Sequence, residues 1–93
     1  MPVYMIHVDL ADSARNLPEI DMALETVDRC VRPVPFTWFV EAPLSAHQIG
    51  EMLAPFLNDD DTLLVVNAGQ EAYWRRVDPD AEEWMLDYFK RNR

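Results

Sequence analysis

The chain reads as an α+β domain: a ferredoxin-like plait, a βαββαβ-type antiparallel sheet with two helices on one face, followed by a C-terminal helix. Three observations carry that expectation. Strand-forming apolar runs occur at Val3–Val8, Phe36–Glu41 and Thr62–Val66. Helical spacing fills the two gaps between them, and a fourth strand is expected just after the third. With only two glycines, no repeat and no low-complexity tract, residues 1–93 show no internal boundary and form one domain.

Val3 to Val8 carries apolar and β-branched residues on both faces, the pattern of a central strand. Over residues 13 to 31, Leu17, Ile20, Leu24, Val27 and Val31 fall on one helical stripe, with Glu19, Asp21, Glu25 and Asp28 off it. Pro18 suits a first turn, so the regular helix is expected to begin near Asn16 or Leu17, with Asn16 as its cap. Pro33 and Pro35 then end it and lead into Phe36–Glu41, whose prolines stand at the start, where a missing donor is tolerated.

Ser45 followed by Gln48 spells a capping box, with Leu44 and Ile49 at the staple positions. The helix it opens turns Ile49, Met52, Leu53 and Phe56 inward, and Pro55 shortens or kinks its end. Asn58–Asp61 is a turn. Thr62–Val66 is a short buried strand, and Asn67–Gln70 makes a tight connection to Glu71–Val77, so the two segments are expected to form a hairpin. Asp78-Pro79 is a cap followed by a first-turn proline. Ala81, Trp84, Met85, Tyr88 and Phe89 mark one face of the closing helix, with Lys90 and Arg91 complementing its dipole.

Apolar residues make up 49% of the chain and aromatics 11%, which suits a folded domain rather than a disordered one. No apolar run approaches the roughly 20 residues of a membrane span. No basic stretch followed by an apolar core opens the chain, so no secretory signal is expected. A single cysteine, Cys30, cannot form an internal disulfide and fits a cytoplasmic setting, where it is a small residue on a helix face. Seventeen acids against eight Lys and Arg give a net charge of −9, which repels polyphosphate and suits a soluble protein or one whose partner is basic. The basic residues cluster locally, at Arg75 and Arg76 and at Lys90, Arg91 and Arg93.

The sheet face without helices is expected to carry Val3, Met5, His7, Phe36 and Trp38. An apolar face left open on so small a domain asks for cover, and Met5, His7, Phe36 and Trp38 are the expected homodimer interface. Asp9 ends the first strand, where a carboxylate is paired, hydrated or there for chemistry. His7 lies two residues back on the same strand face, so both reach a common ion or water. One carboxylate per chain is too few for a divalent ion unless symmetry adds a second.

Asp59, Asp60 and Asp61 lack the ligand spacing and glycine of a calcium loop and read as a solvated turn. Arg75 and Arg76, with Tyr73 and Trp74 beside them, have the residue types for phosphate contact and base stacking or for salt bridges to the surplus acids, although strand alternation sends the two arginines to opposite faces. His47, in the first turn of its helix, is expected to be exposed and inert. No nucleophile–histidine–acid set, glycine-rich phosphate loop, cysteine pair or dinucleotide signature is present.

Tyr4–Leu10, Phe36–Val40, Leu44-Ser45, Asp60–Val66 and Ala72–Arg75 together resemble, in order along nearly the whole chain, a family of small bacterial proteins. These are the SinR-like proteins, relatives of the CRISPR-associated endoribonuclease-type adaptation protein and of the VapD toxins. The resemblance implies a homodimer, and a Mg²⁺-dependent endoribonuclease or a scaffold for nucleic acid. It makes Asp9 the catalytic residue and metal ligand, contributed by both subunits, with RNA or DNA as substrate. Arg75 and Arg76 are then the candidate nucleic-acid contacts. His7-Val8 departs from the family, whose members often have a small polar residue and then tyrosine there. The alternative is a non-catalytic dimeric interaction module of a toxin–antitoxin or mobile-element locus, binding a basic protein partner.

Overall fold

A computed structural model describes residues 1–27, 29–69 and 71–91, except for the side chains at 13, 14, 90 and 91. The elements run β1 (Val3–Asp9), α1 (Ser13–Leu24), β2 (Arg29–Val34), β3 (Thr37–Glu41), α2 (Ala46–Leu53), a 3₁₀ turn (Ala54–Phe56), β4 (Thr62–Asn67) and α3 (Pro79–Arg91). The four strands form one sheet in the order β2-β3-β1-β4, with every neighbouring pair antiparallel. β1 and β2 therefore run the same way with β3 between them, and β3 and β4 do so with β1 between them. This is an α+β sheet built from two interleaved β-α-β units.

β1 is interior, as its two-faced apolar composition requires. Tyr4, Ile6 and Val8 turn to one side, where they meet Trp38 and Val40 of β3, Ile20 and Leu24 of α1, and Ile49 and Leu53 of α2. Both helices thus cover one face. Burying these side chains contributes about 1.5–3 kcal/mol each. The indole of Trp38 is wholly buried, and its Nε1–H donates to Asp21 Oδ1 at 3.0 Å, so its one polar atom costs nothing inside.

α2 forms as the sequence predicts. The Ser45 hydroxyl accepts from the Gln48 amide at 3.1 Å while Gln48 Oε1 accepts from the Ser45 amide at 2.9 Å. Pro55 stands inside the 3₁₀ turn that closes the helix after Leu53. α1 differs from expectation at both ends. It starts at Ser13, with Asp12 in the cap position making no side-chain cap bond, and it stops at Leu24.

The stop has a local cause. Thr26 Oγ1–H donates to the Ala23 carbonyl at 2.7 Å, and the amides of Thr26 and Val27 bond three residues back, which closes the last turn. Beyond it, Val31, Pro33, Val34 and Pro35 favour extended backbone, and a residue before proline avoids the helical region. Residues 29–34 are therefore β2, and Val31 lies in the sheet rather than on the helical stripe. Asp28, also assigned to that helix, lies outside the described residues. β2 tolerates Pro33 because it is an edge strand with its register broken between Val31 and Val34. Phe36 sits in the tight turn that follows, at φ 67°, so β3 begins at Thr37.

The expected hairpin partner of β4 is absent as well. Residues 71–77 contain no strand among those described; Gln70, in the connection, lies outside them. Gly69 takes φ 70° and its amide bonds Asn67 Oδ1, turning the chain back across the sheet. Trp74 and Val77 then pack on the second face. Trp74 Nε1–H donates to Glu82 Oε2 at 2.8 Å, and the Asp78 amide donates to the Pro33 carbonyl at 2.8 Å, which fixes this segment to α3 and β2.

That second face is not free of helix. α3 lies on it, its Trp84, Met85, Tyr88 and Phe89 clustering with Val3, Val31 and Phe39. The Trp84 and Tyr88 rings stack at 5.4 Å, and Phe89 meets Phe39 edge-on at 5.9 Å. Asp78 caps the helix, its Oδ2 accepting from the amides of Asp80 and Ala81 at 3.1 Å. The side chains of Lys90 and Arg91, assigned to its dipole, and the whole of Arg93 lie outside the described residues. No helix among those described is long and apolar enough to cross a membrane.

Candidate functional site

Asp9 closes β1 opposite Thr62 of β4, on the sheet face that carries α3, and its side chain is exposed. His7 is exposed on the same face, two residues back, with its Nδ1 3.0 Å from Thr37 Oγ1 on β3. The neighbouring acid with structural bonds is Asp61. Its Oδ1 accepts from the Ala11 amide at 2.9 Å, and its Oδ2 accepts from the Asn58 amide at 2.8 Å and from Asn16 Nδ2 at 2.9 Å. The Asn58 amide first, then that of Ala11, with Asn16 adding to them, hold the Asp61 carboxyl below its usual pKa.

Asp61 thus ties the β1–α1 loop to the α2–β4 loop. Asn16, expected to cap α1, is buried and spends its amide on Asp61 and on the Phe56 carbonyl at 3.0 Å. Asp59 and Asp60 are exposed turn residues. No three His, Cys, Asp or Glu side chains among the described residues converge on one point. Within one chain Asp9 therefore has no described companion set for a divalent ion, and a Mg²⁺ site there needs a second carboxylate from another copy.

Arg75 and Arg76 are brought together, contrary to the alternation expected of a strand. The segment is irregular, Arg76 takes φ 59°, and both side chains line one shallow hollow of about 300 Å³. The aromatic half of the expected nucleic-acid patch is divided, because Trp74 is turned inward to Glu82 while Tyr73 is 89% exposed. His47 is exposed and pairs with Glu51 one helical turn on, at 2.7 Å. Cys30 is a half-buried β2 residue whose thiol is pushed up to about 12, by burial first and then by the charges of Asp21 and Glu25.

The four residues expected at a dimer interface divide between the two faces. Met5 and His7 lie on the α3 side. Trp38 pairs with Ile6 in the register and is wholly buried under α1 and α2, and Phe36 packs against that same core. A one-residue offset in register decides the face of every side chain in a strand, and here it separates Trp38 from Met5 and His7.

What remains uncovered is the β4 margin. α3 and residues 71–77 leave Leu64 49% and Val66 42% exposed on β4, one of the sheet's two edge strands; on the other, β2, Val34 is 41% exposed. A groove runs along each side of that strand. On the α2 side, Ala46, Gly50 and Ala54 leave about 380 Å³ over Leu63 and Val65, bordered by His47 and Glu51. On the other, Met5, Phe39, Val66, Ala68, Ala72 and Phe89 line about 250 Å³, bordered by Glu71. Sequence reasoning missed this margin because it gave β4 a hairpin partner. Comparison with family models, with curated proteins and with solved structures finds no match.

Proposed function

We propose that this chain is a ferredoxin-like interaction module with no catalytic chemistry of its own, working through the β4 margin of its sheet. One observation carries the reading: β4 is an uncharged, apolar outer strand with Leu64 and Val66 exposed and a groove on each side. A strand of that kind invites pairing unless charge, proline or cover blunts it. At the opposite edge, β2 carries Pro33, a register break, Arg29 and Arg32. The titratable groups described around Asp9 and His7 do not supply the convergent acid, base and nucleophile that catalysis in a single chain requires.

A second reading is favoured by the exposure of Asp9. A homodimer that set two copies of Asp9 face to face would make a carboxylate pair able to hold Mg²⁺ for phosphodiester hydrolysis. One assay separates the two. Labelled single-stranded RNA and duplex DNA are incubated with wild type and with Asp9→Ala, in Mg²⁺ or chelator. The interaction-module reading expects no cleavage above background in any arm. Mg²⁺-dependent cleavage that Asp9→Ala abolishes would overturn it in favour of the nuclease.

A further inference from the structure

The backbone of β4 shows what its outer side offers. The Ala68 amide donates to the Val3 carbonyl at 2.9 Å, and the antiparallel register then alternates, so Val66, Leu64 and Thr62 turn their N–H and C=O groups towards β1. Leu63, Val65 and Asn67 turn theirs outward, where no strand among the described residues lies. A strand laid there would find a ladder of donors and acceptors at its backbone. Its side chains would alternate between the α2 groove and the groove beside Met5 and Val66.

Each groove has an acid at its border: Glu51, paired with the exposed His47 at 2.7 Å, stands at the first and Glu71 at the second, and exposed Asp59 and Asp60 precede the strand. No Lys or Arg among the described residues lines either groove. The floors are apolar, so long cationic side chains can lay their methylene stems on Leu63–Val66 and reach the acids with their heads. A second copy of this chain suits the edge less well. It brings another net charge of −9, and an antiparallel β4–β4 pair would bring Asp59 and Asp60 of one copy towards the end of the strand near Glu71 of the other.

We propose that β4 accepts an added strand from a protein partner: an extended, basic segment in which Lys or Arg alternates with β-branched residues. The proposal rests on the interaction-module reading and names the partner's chemistry. Main-chain bonds to Leu63 and Val65 supply the pairing, and the acidic borders select the sign of charge.

Random ten-residue segments displayed on phage, selected on the wild-type protein after depletion on Val65→Pro, test it. Proline at 65 removes a donor that points away from β1, so the sheet itself keeps its ladder. A second variant, Glu51→Lys with Glu71→Lys, changes only exposed side chains and carries the test should Val65→Pro not fold. Recovered segments are expected to alternate Lys or Arg with Val, Ile or Thr. As synthetic peptides they should bind at least about tenfold more weakly to either variant, the loss expected of one to two hydrogen bonds or charge pairs. Recovery of acidic or patternless segments, or equal binding to wild type and variants, would overturn the proposal. Failure to recover any segment, with a wild-type dimer by light scattering that Val65→Pro makes monomeric, would assign the edge to a second copy and leave the interaction-module reading standing. No segment and a monomer throughout would overturn both.

Discussion

The two faces of the sheet are covered by different means. On one, two helices joined to the strands by short connections bury Tyr4, Ile6, Val8, Trp38 and Val40, and the Trp38 indole has its acceptor in Asp21. On the other, one helix and an irregular segment supply an aromatic cluster around Val3. There the buried Trp84 Nε1–H has no partner among the described residues, and β4 leaves Leu64 and Val66 exposed. Among the described residues the first face buries a cluster of ten and the second a cluster of five, so the larger share of the core lies under α1 and α2.

The sharpest way to break that comparison is to hollow out each face in turn. Trp38→Ala is expected to cost about 3–5 kcal/mol, since it removes a wholly buried indole and strands Asp21. A 93-residue domain is stable by roughly 5–14 kcal/mol in all, so urea denaturation should find this variant partly unfolded or close to it. Met85→Ala, beneath α3, is expected to cost less, about 2–3 kcal/mol, at the low end for a buried methionine because its face is open at one side. Equal losses would mean that the two faces share the load.

A smaller effect sharpens the electrostatics of the first face. Asp21→Ala removes the acceptor of the Trp38 indole and should cost about 1–2 kcal/mol. It also removes a negative charge that helps to push the Cys30 thiol up to about 12. A thiol held neutral by the fold stabilises it fully below the unfolded thiol's range. That contribution is lost as pH rises from about 8.5 through the folded value. Alkylation of Cys30 followed against pH should therefore shift to lower pH in Asp21→Ala. An unchanged profile would leave burial and the Glu25 charge as the causes.

The smallest effect is expected where the second face is bare. Leu64→Lys should change stability by no more than about 0.5 kcal/mol, because the side chain is half exposed and stands outside both buried clusters. A loss of 2 kcal/mol or more, beyond about that range, would show that Leu64 is buried against another chain in solution.

How legible each face was in the sequence follows the same division. The first was read through period: the alternation in β1, the Ile20 and Leu24 stripe, and the capping box at Ser45 all lie within single elements. The second depended on two segments where local preference competes with tertiary placement. Residues 29–34 continue the spacing of α1 and yet pair with β3, because Pro33 and Pro35 forbid helix and an edge position accepts proline. Residues 71–77 have strand-forming side chains and yet make no strand, because Trp74 is drawn under α3 and bonded to Glu82. Once those two segments exchange roles, β4 becomes an edge, and its exposed margin is visible only in the assembled sheet. Asp61 shows the same limit: its run of three acids reads as a solvated turn, while its three bonds reach residues up to fifty positions away.

α3 follows all four strands along the chain, which sets an order of events during synthesis. All four strands are present once Asn67 has been made, whereas α3 is not finished until Arg91. Those 24 further residues take roughly 1–5 seconds to add at ordinary rates of translation. Until α3 packs, Val3, Val31 and Phe39 lack its aromatic cover, so a sheet formed before it exposes a broader apolar surface than the finished protein. Packing of α3, made after the last strand, is the step that covers Val3, Val31 and Phe39.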